Sequence, residues 1–355
     1  MKVVYNSFEG QYADSPRVIH RELLEEGGHE HVWLADPLHA ATFPDDVDVV
    51  EYRSPECVAA LEAADVLVAN THTDLEWDKR PDTLYLQTWH GTPLKRIHWD
   101  VMWAPEGRLE RLSRDVARWD VMLSPNAAST PFLRQAFRYE GELLETGLPR
   151  NDLLLAADHD AVRARVRAEL GIPDGVRAVL YTPTWRDDVV FSEGGREFSL
   201  HLDVDAFTEQ LGEEHCLLLR LHYMLAGRVL EEQHPAVRDL SALPDVAELY
   251  LAADAMITDY SSTMFDFAIT GKPMLFYAYD LEDYAGRLRG FYFDLFTEQP
   301  GPLVRSTPEL IEAVRDLDAT AEAYRERYDA FRARFTGLED GRATERVLAR
   351  IRQGA

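Results

Sequence analysis

The stretch Ala255-Met-Ile-Thr-Asp-Tyr-Ser-Ser-Thr-Met-Phe-Asp-Phe-Ala-Ile-Thr-Gly-Lys-Pro-Met-Leu-Phe-Tyr277 reads as strand, polar turn, helix and strand in one short span. Residues 255–258 and 274–277 are apolar runs of strand length, and Thr258 to Ser262 lead from the first into a helix. Two strands joined by a helix lie parallel, so their sheet needs cover on both faces. The same alternation runs outward in both directions. Residues 178–181 and 217–221 read as strands, 162–170 and 246–253 as helices. Toward the N-terminus, residues 3–5, 32–35, 47–52, 66–69, 83–88 and 121–123 read as strands. Ser15-Pro16 reads as the cap and first residue of a helix that ends at Gly27-Gly28, and residues 58–64 as another helix.

Two such series in 355 residues fit two domains at about 100–200 residues each. The expected fold class is α/β, two doubly wound parallel sheets in series. The expected boundaries are residues 1–152 and 153–329, with a C-terminal helix at about 330–355 that packs back on the first domain. Ligands of such sheets bind beyond the carboxyl ends of the strands.

A formal net charge of −26 argues against a nucleic-acid partner and against a broad basic patch for anionic lipid. Any anionic substrate must be met by local positive charge, and arginine supplies most of it. Lys2, Lys79, Lys95 and Lys272 are the only lysines. Cys57 and Cys216 have neither metal-ligand nor redox spacing and read as small buried side chains. Met1-Lys-Val-Val-Tyr5 lacks a signal-peptide core, and no apolar run reaches about 18 residues, which points to a cytoplasmic protein. His29, His31, His39 and His159 lie in polar contexts and read as solvated.

Four strand-end segments hold the candidate chemistry. In Gln87-Thr-Trp-His-Gly-Thr-Pro-Leu-Lys95, His90 follows a strand on a Gly/Pro loop. An imidazole titrates near neutrality and suits general-base work, although a histidine can also merely tie down a loop. In Tyr181-Thr-Pro-Thr-Trp-Arg-Asp187, Pro183 ends a strand and Arg186 could clasp a phosphate or pair with Asp187 or Asp188. In Arg220-Leu-His-Tyr223, Arg220 and His222 would share one strand face. In Thr258 to Asp266, Ser261 and Ser262 would start a helix, where free N–H groups favour phosphate; Thr263 and Asp266 have capping-box spacing, and both uses can coexist. No acidic cluster has metal-ligand spacing, so no protein-bound metal and no cofactor are expected.

Taken in order, these segments resemble the CDP-glycerol glycerophosphotransferase family of teichoic-acid and capsule polymerases. Ser7-Phe-Glu-Gly-Gln-Tyr12, Thr146-Gly-Leu-Pro-Arg-Asn-Asp152, Lys272-Pro-Met-Leu-Phe-Tyr277 and Arg289-Gly-Phe-Tyr292 extend the likeness over residues 5–295. The resemblance implies a GT-B fold, two Rossmann-like domains facing a cleft. It implies transfer of glycerol phosphate from CDP-glycerol to a polyol-phosphate or lipid-linked glycan acceptor, with release of CMP. By the same similarity His90 is the catalytic base and His222 a second essential histidine. Arg186, Arg220, Asp259, Ser261, Ser262 and Glu248 fall on the donor and its phosphates, and Gly91 and Lys95 on the acceptor side.

Competing readings are a CDP-ribitol-dependent transferase, a GT-B glycosyltransferase using a nucleotide sugar, and a nucleotide-binding scaffold without turnover. The acidic chain leaves peripheral contact with the inner face of the membrane open. Trp99, Met102 and Trp103 read as core of a helical hairpin, with an apolar patch for a lipid-linked acceptor as the competing reading.

Overall fold

The computed structural model describes residues 1–184, 200–221, 234–243, 245–281 and 290–354. Arg186 and His222 lie outside the described residues. The chain divides into two compact units. The first comprises Met1–Pro93, Ile97–Leu155 and Phe335–Ala355, the second Leu94–Arg96 and Ala156–Arg334.

The first unit is built on a parallel sheet of β1 (Lys2–Asn6), β2 (Glu30–Ala35), β3 (Val49–Glu51), β4 (Val66–Ala69), β5 (Leu84–Gln87), β6 (Val121–Ser124) and β7 (Glu142–Glu145). Among the described residues its order is β3-β2-β1-β4-β5-β6-β7. Strand order therefore reverses between β1 and β4, where crossovers leave in opposite directions and open a crevice. The central strands β4, β5 and β6 are buried along their whole length, as strands covered on both faces must be. On one face Leu67, Tyr85, Met122 and Phe137 pack with Trp77 and Trp119. On the other, Val3, Tyr5, Ile19, Leu23 and Trp33 pack with Val347, Leu348 and Ile351 of the C-terminal helix Ala343–Gly354.

The second unit repeats the plan. β8 (Arg177–Thr182), β9 (His215–Leu219), β10 (Val237–Asp239), β11 (Ala255–Thr258), β12 (Met274–Tyr277) and β13 (Leu303–Val304) pair in the order β10-β9-β8-β11-β12-β13 among the described residues. Every ladder is parallel, and order reverses between β8 and β11. These are the two Rossmann-like units of the GT-B class. Both cysteines are buried and unbridged.

Some local expectations need correction. The helix Asp14–Glu26 is not capped by Ser15, which lies buried inside it; Ala13 is the cap and makes no side-chain bond. The helix does end at Gly27, at φ 76°. His31 is not simply solvated, for its ring lies in an aromatic cluster. Its Nδ1 lies 3.0 Å from Tyr5 Oη, and the His20 ring lies 4.9 Å from it.

This cluster couples the first unit to pH. Burial, with neighbouring His31, pushes His20 down to about 4, and burial also lowers His31. As pH falls from about 6.5 toward about 4, the unfolded chain takes up a proton that folded His20 refuses. Stability present above about pH 6.5 is therefore lost across that window, by roughly 3 kcal/mol for His20. Denaturant titrations at about pH 7 and about pH 4.5 check this: His20→Gln should lose part of the acid sensitivity, and an unchanged difference contradicts it.

Candidate functional site

In the first unit the candidate residues gather on the loops that follow β1, β4 and β5, at the reversal of strand order. After β1, Phe8 and Glu9 turn through left-handed conformations at φ 46° and 58°. Gly10 at φ 126° completes the turn, where a Cβ would meet Asp36 N at 2.2 Å. Asn70, directly after β4, holds this loop: its Oδ1 accepts from Phe8 N–H at 2.9 Å and its Nδ2 donates to Ser7 Oγ at 3.2 Å. Below it, the buried Asp115 carboxylate accepts from Thr73 N–H at 3.0 Å, Trp119 Nε1–H at 3.0 Å and the Tyr85 hydroxyl at 3.1 Å. The loop at residues 70–73 is thereby held from both sides.

After β5, Trp89 adopts φ 52° and Gly91 φ 146°. This turn brings His90 Nδ1 to 2.6 Å from the main-chain oxygen of Asn70. A carbonyl oxygen only accepts, so Nδ1 carries the proton and Nε2 presents a bare lone pair. Trp89 stacks on the imidazole at 4.1 Å between centroids, and the Phe8 ring lies 5.5 Å away. Burial pushes His90 below its ordinary range. Arg150 and His72 push the same way, while the Asn70 carbonyl and Asp14 oppose. Asp14 and Arg150 form an inward pair at 2.5 Å. The arrangement holds a buried imidazole with its proton on Nδ1 and a bare Nε2. Gly91 serves the backbone turn that its positive φ requires.

In the second unit two of the expected donor residues, Arg220 after β9 and Asp259 after β11, flank the end of β8, which Thr184 follows. Asp259 was expected to contact donor phosphate. Its carboxylate accepts from Thr184 N–H at 2.8 and 3.1 Å and from Tyr260 N–H at 2.5 Å. Those bonds make it a strap between two strand ends. Ser261 and Ser262 are half-buried beside it. The expected capping box is absent: Ser262, the cap, makes no side-chain bond, and Ser261 Oγ accepts from the Thr263 hydroxyl at 3.0 Å. The helix they open, Thr263–Phe267, is one short turn and a half that passes into a 3-10 turn.

Arg220 is largely buried, and burial lowers its guanidinium from the usual range. It donates to the main-chain oxygen of Ser241, and no carboxylate among the described residues lies within ion-pair distance. Its hydrogen-bond partner is neutral, while Tyr250, Asp245 and Asp239 nearby favour its charged form. Glu248 Oε1 pairs with Arg165 at 2.9 Å. Lys95 is held by its main chain to Phe291 of the second unit.

Met102 and Trp103 are 60% and 79% exposed, which overturns their reading as hairpin core. Trp99 does pack, donating to Ser113 Oγ at 2.9 Å beneath the Arg138 guanidinium. Among the described residues no helix is long and apolar enough to cross a membrane. Sequence reasoning passed over Asn70, Gln87 and the Asp14–Arg150 pair. Asn70 does carry a signal in the sequence: it is the polar residue directly after the apolar run of β4, one of the two strands that flank the reversal.

The family model for CDP-glycerol:poly(glycerophosphate) glycerophosphotransferase matches residues 1–353. A teichoic acid glycerol-phosphate transferase of Staphylococcus aureus (strain NCTC 8325 / PS 47) is 37% identical over 98% of this chain and 92% of its own. A teichoic acid poly(glycerol phosphate) polymerase of Bacillus subtilis (strain 168) is 36% identical over 98% of this chain, which spans only 48% of that relative. The solved wall teichoic acid polymerase TagF superposes with TM-score 0.91 and 34% identity, covering 99% of this chain and 88% of the solved one. A variant of it was soaked with CDPG. A poly(ribitol-phosphate) polymerase of Bacillus spizizenii (strain ATCC 23059 / NRRL B-14472 / W23) matches less, 32% identical over 59% of this chain.

Asp259→Ala removes the acceptor of two main-chain N–H groups, of Thr184 and Tyr260, in a buried place. It should lower unfolding stability by about 1–3 kcal/mol in denaturant titration. Full stability in that variant contradicts the strap.

Proposed function

The chain belongs to the CDP-glycerol:poly(glycerophosphate) glycerophosphotransferase family and is a glycerol-phosphate transferase of teichoic acid synthesis, and we propose that His90 is the base that activates its acceptor. The supporting observation is the 2.6 Å contact between His90 Nδ1 and the Asn70 carbonyl, which leaves Nε2 free to take a proton. The donor is CDP-glycerol and the acceptor a hydroxyl of a polyol-phosphate chain.

In this reading the acceptor oxygen attacks the phosphorus that bears glycerol, in line with the departing CMP. The new O–P bond forms as the P–O bond to CMP breaks, and the hydroxyl proton passes to His90 Nε2. Phosphoryl-type transfer is mostly positioning and electrostatics, so the second unit's part is to hold and neutralise phosphates. We assign that part to Arg220, with the hydroxyls of Ser261 and Ser262. Arg186 and His222 are assigned to it by their motifs alone. Asp259 acts by holding the strand ends, and Glu248 enters as a ribose contact only if Arg165 shares it. No cofactor and no protein-bound metal has a part in the reading.

The finer acceptor is lipid-linked, and the exposed Met102 and Trp103 are the contact to its membrane. Apolar side chains of this size gain free energy on leaving water for the headgroup boundary. A CDP-ribitol donor is the second reading, favoured by nothing in the geometry and served by the same phosphate chemistry.

His90→Ala should lower CMP release from CDP-glycerol by about 10²–10⁴-fold while donor affinity stays nearly intact. Because His90 is lowered from its ordinary range, the wild-type rate should decline at acid pH with a midpoint below the ordinary imidazole value of about 6.5. Full activity in His90→Ala, or a decline centred above that pH, overturns the assignment. The double change M102S/W103S should reduce sedimentation with phospholipid vesicles and leave CMP release to a soluble acceptor unchanged; equal sedimentation contradicts the membrane contact.

A further inference from the structure

Gln87 is fully buried at the end of β5, and its carboxamide spans two loops. Its Nε2 donates to the Thr71 carbonyl at 2.9 Å, and its Oε1 accepts from Trp89 N–H at 2.9 Å. Thr71 is next in the chain to Asn70, whose carbonyl accepts the hydrogen bond from His90 Nδ1–H, and Trp89 is next to His90. One side chain therefore ties the segment that carries the acceptor carbonyl to the segment that carries the imidazole, a single residue from each.

The tie has strain to oppose. Trp89 sits at φ 52°, a left-handed conformation that costs a bulky residue about 1–3 kcal/mol and persists only where the surroundings hold it. With that turn released, His90 Nδ1 is no longer bound to the Asn70 carbonyl, and both ring tautomers become accessible. In the tautomer with the proton on Nε2, no lone pair faces the acceptor hydroxyl.

We propose that Gln87 is a positioning residue for the transfer: through Thr71 and Trp89 it holds His90 in the tautomer whose Nε2 accepts the proton. The inference rests on the reading of His90 as the base. It also states a chemical requirement, since position 87 must donate and accept at once. Glutamine does both, a protonated glutamate does both, and an ionised glutamate or a methionine does not.

The experiment measures CMP release from CDP-glycerol with a polyol-phosphate acceptor, for wild type, H90A, Q87M and Q87E across about pH 5.5 to about 8.5. Donor dissociation and the folded fraction are measured at each pH. Charged and titratable groups facing His90, namely Asp14, Arg150 and His72, are the same in wild type and the Gln87 variants, so the ratio of variant to wild type cancels their ionisation.

Q87M should lose about 10-fold to 10²-fold in kcat with KM for CDP-glycerol within about twofold, as expected for a misplaced base. Q87E should be slow at the alkaline end. Its ratio to wild type should rise as pH falls, because a buried carboxyl titrates high and its protonated form restores both bonds. Wild-type kcat in Q87M, or a Q87E ratio that does not change with pH, overturns the proposal. If Q87M fails to fold, the Q87E ratio alone decides. Full activity in H90A is a separate result and removes the underlying reading.

Discussion

The hydrogen bond from His90 Nδ1–H to the main-chain oxygen of Asn70 is the constraint on which the proposed chemistry rests. It decides which ring nitrogen can act, and it exists because of sheet order. Strands β4 and β5 are neighbours, so the residues beyond their ends, Asn70 and Trp89-His90, emerge side by side. Strand β1 flanks β4 on the other side, which brings the Phe8 turn over the imidazole. Asn70 serves both loops, with its side chain on one and its carbonyl on the other. Asp115 keeps that segment from collapsing by satisfying Thr73 from within the core.

The acidic chain and its anionic substrates pose an electrostatic problem that the fold answers locally. A net charge of −26 gives no long-range attraction for a diphosphate or a polyphosphate chain. What it leaves is short-range cation placement, strongest where water is excluded. Arg220 is such a cation, buried and bound to a carbonyl instead of a carboxylate. Asp259 lies two residues before Ser261, and its carboxylate is held by main-chain N–H groups of Thr184 and Tyr260.

The fold was legible in the sequence because each strand is a short apolar run and each crossover a helix with ordinary end signals, as Ala255 to Tyr277 illustrates. The parallel arrangement was legible too, since a helical crossover admits few topologies. His90 was legible as a titratable group on a loop after a strand. Its partner was not, for a main-chain carbonyl has no residue signature and any residue at position 70 offers one. The strap role of Asp259 was not legible for a related reason: the main-chain N–H groups it satisfies have no residue signature. Met102 and Trp103 were misread because apolar residues near a helix carry the same pattern whether they face a core or solvent. His31 of the aromatic cluster failed likewise, since polar neighbours in sequence are not neighbours in space.

The central claim is that neutral His90 is a single tautomer with its proton on Nδ1. The direct measurement is a nitrogen-15 spectrum of histidine-labelled protein near pH 7.5, with the His90 signals identified by their loss in a His90→Gln chain. A proton-bearing Nδ1 and a bare Nε2 are expected for His90. A proton on Nε2, or a doubly protonated ring at that pH, would contradict it.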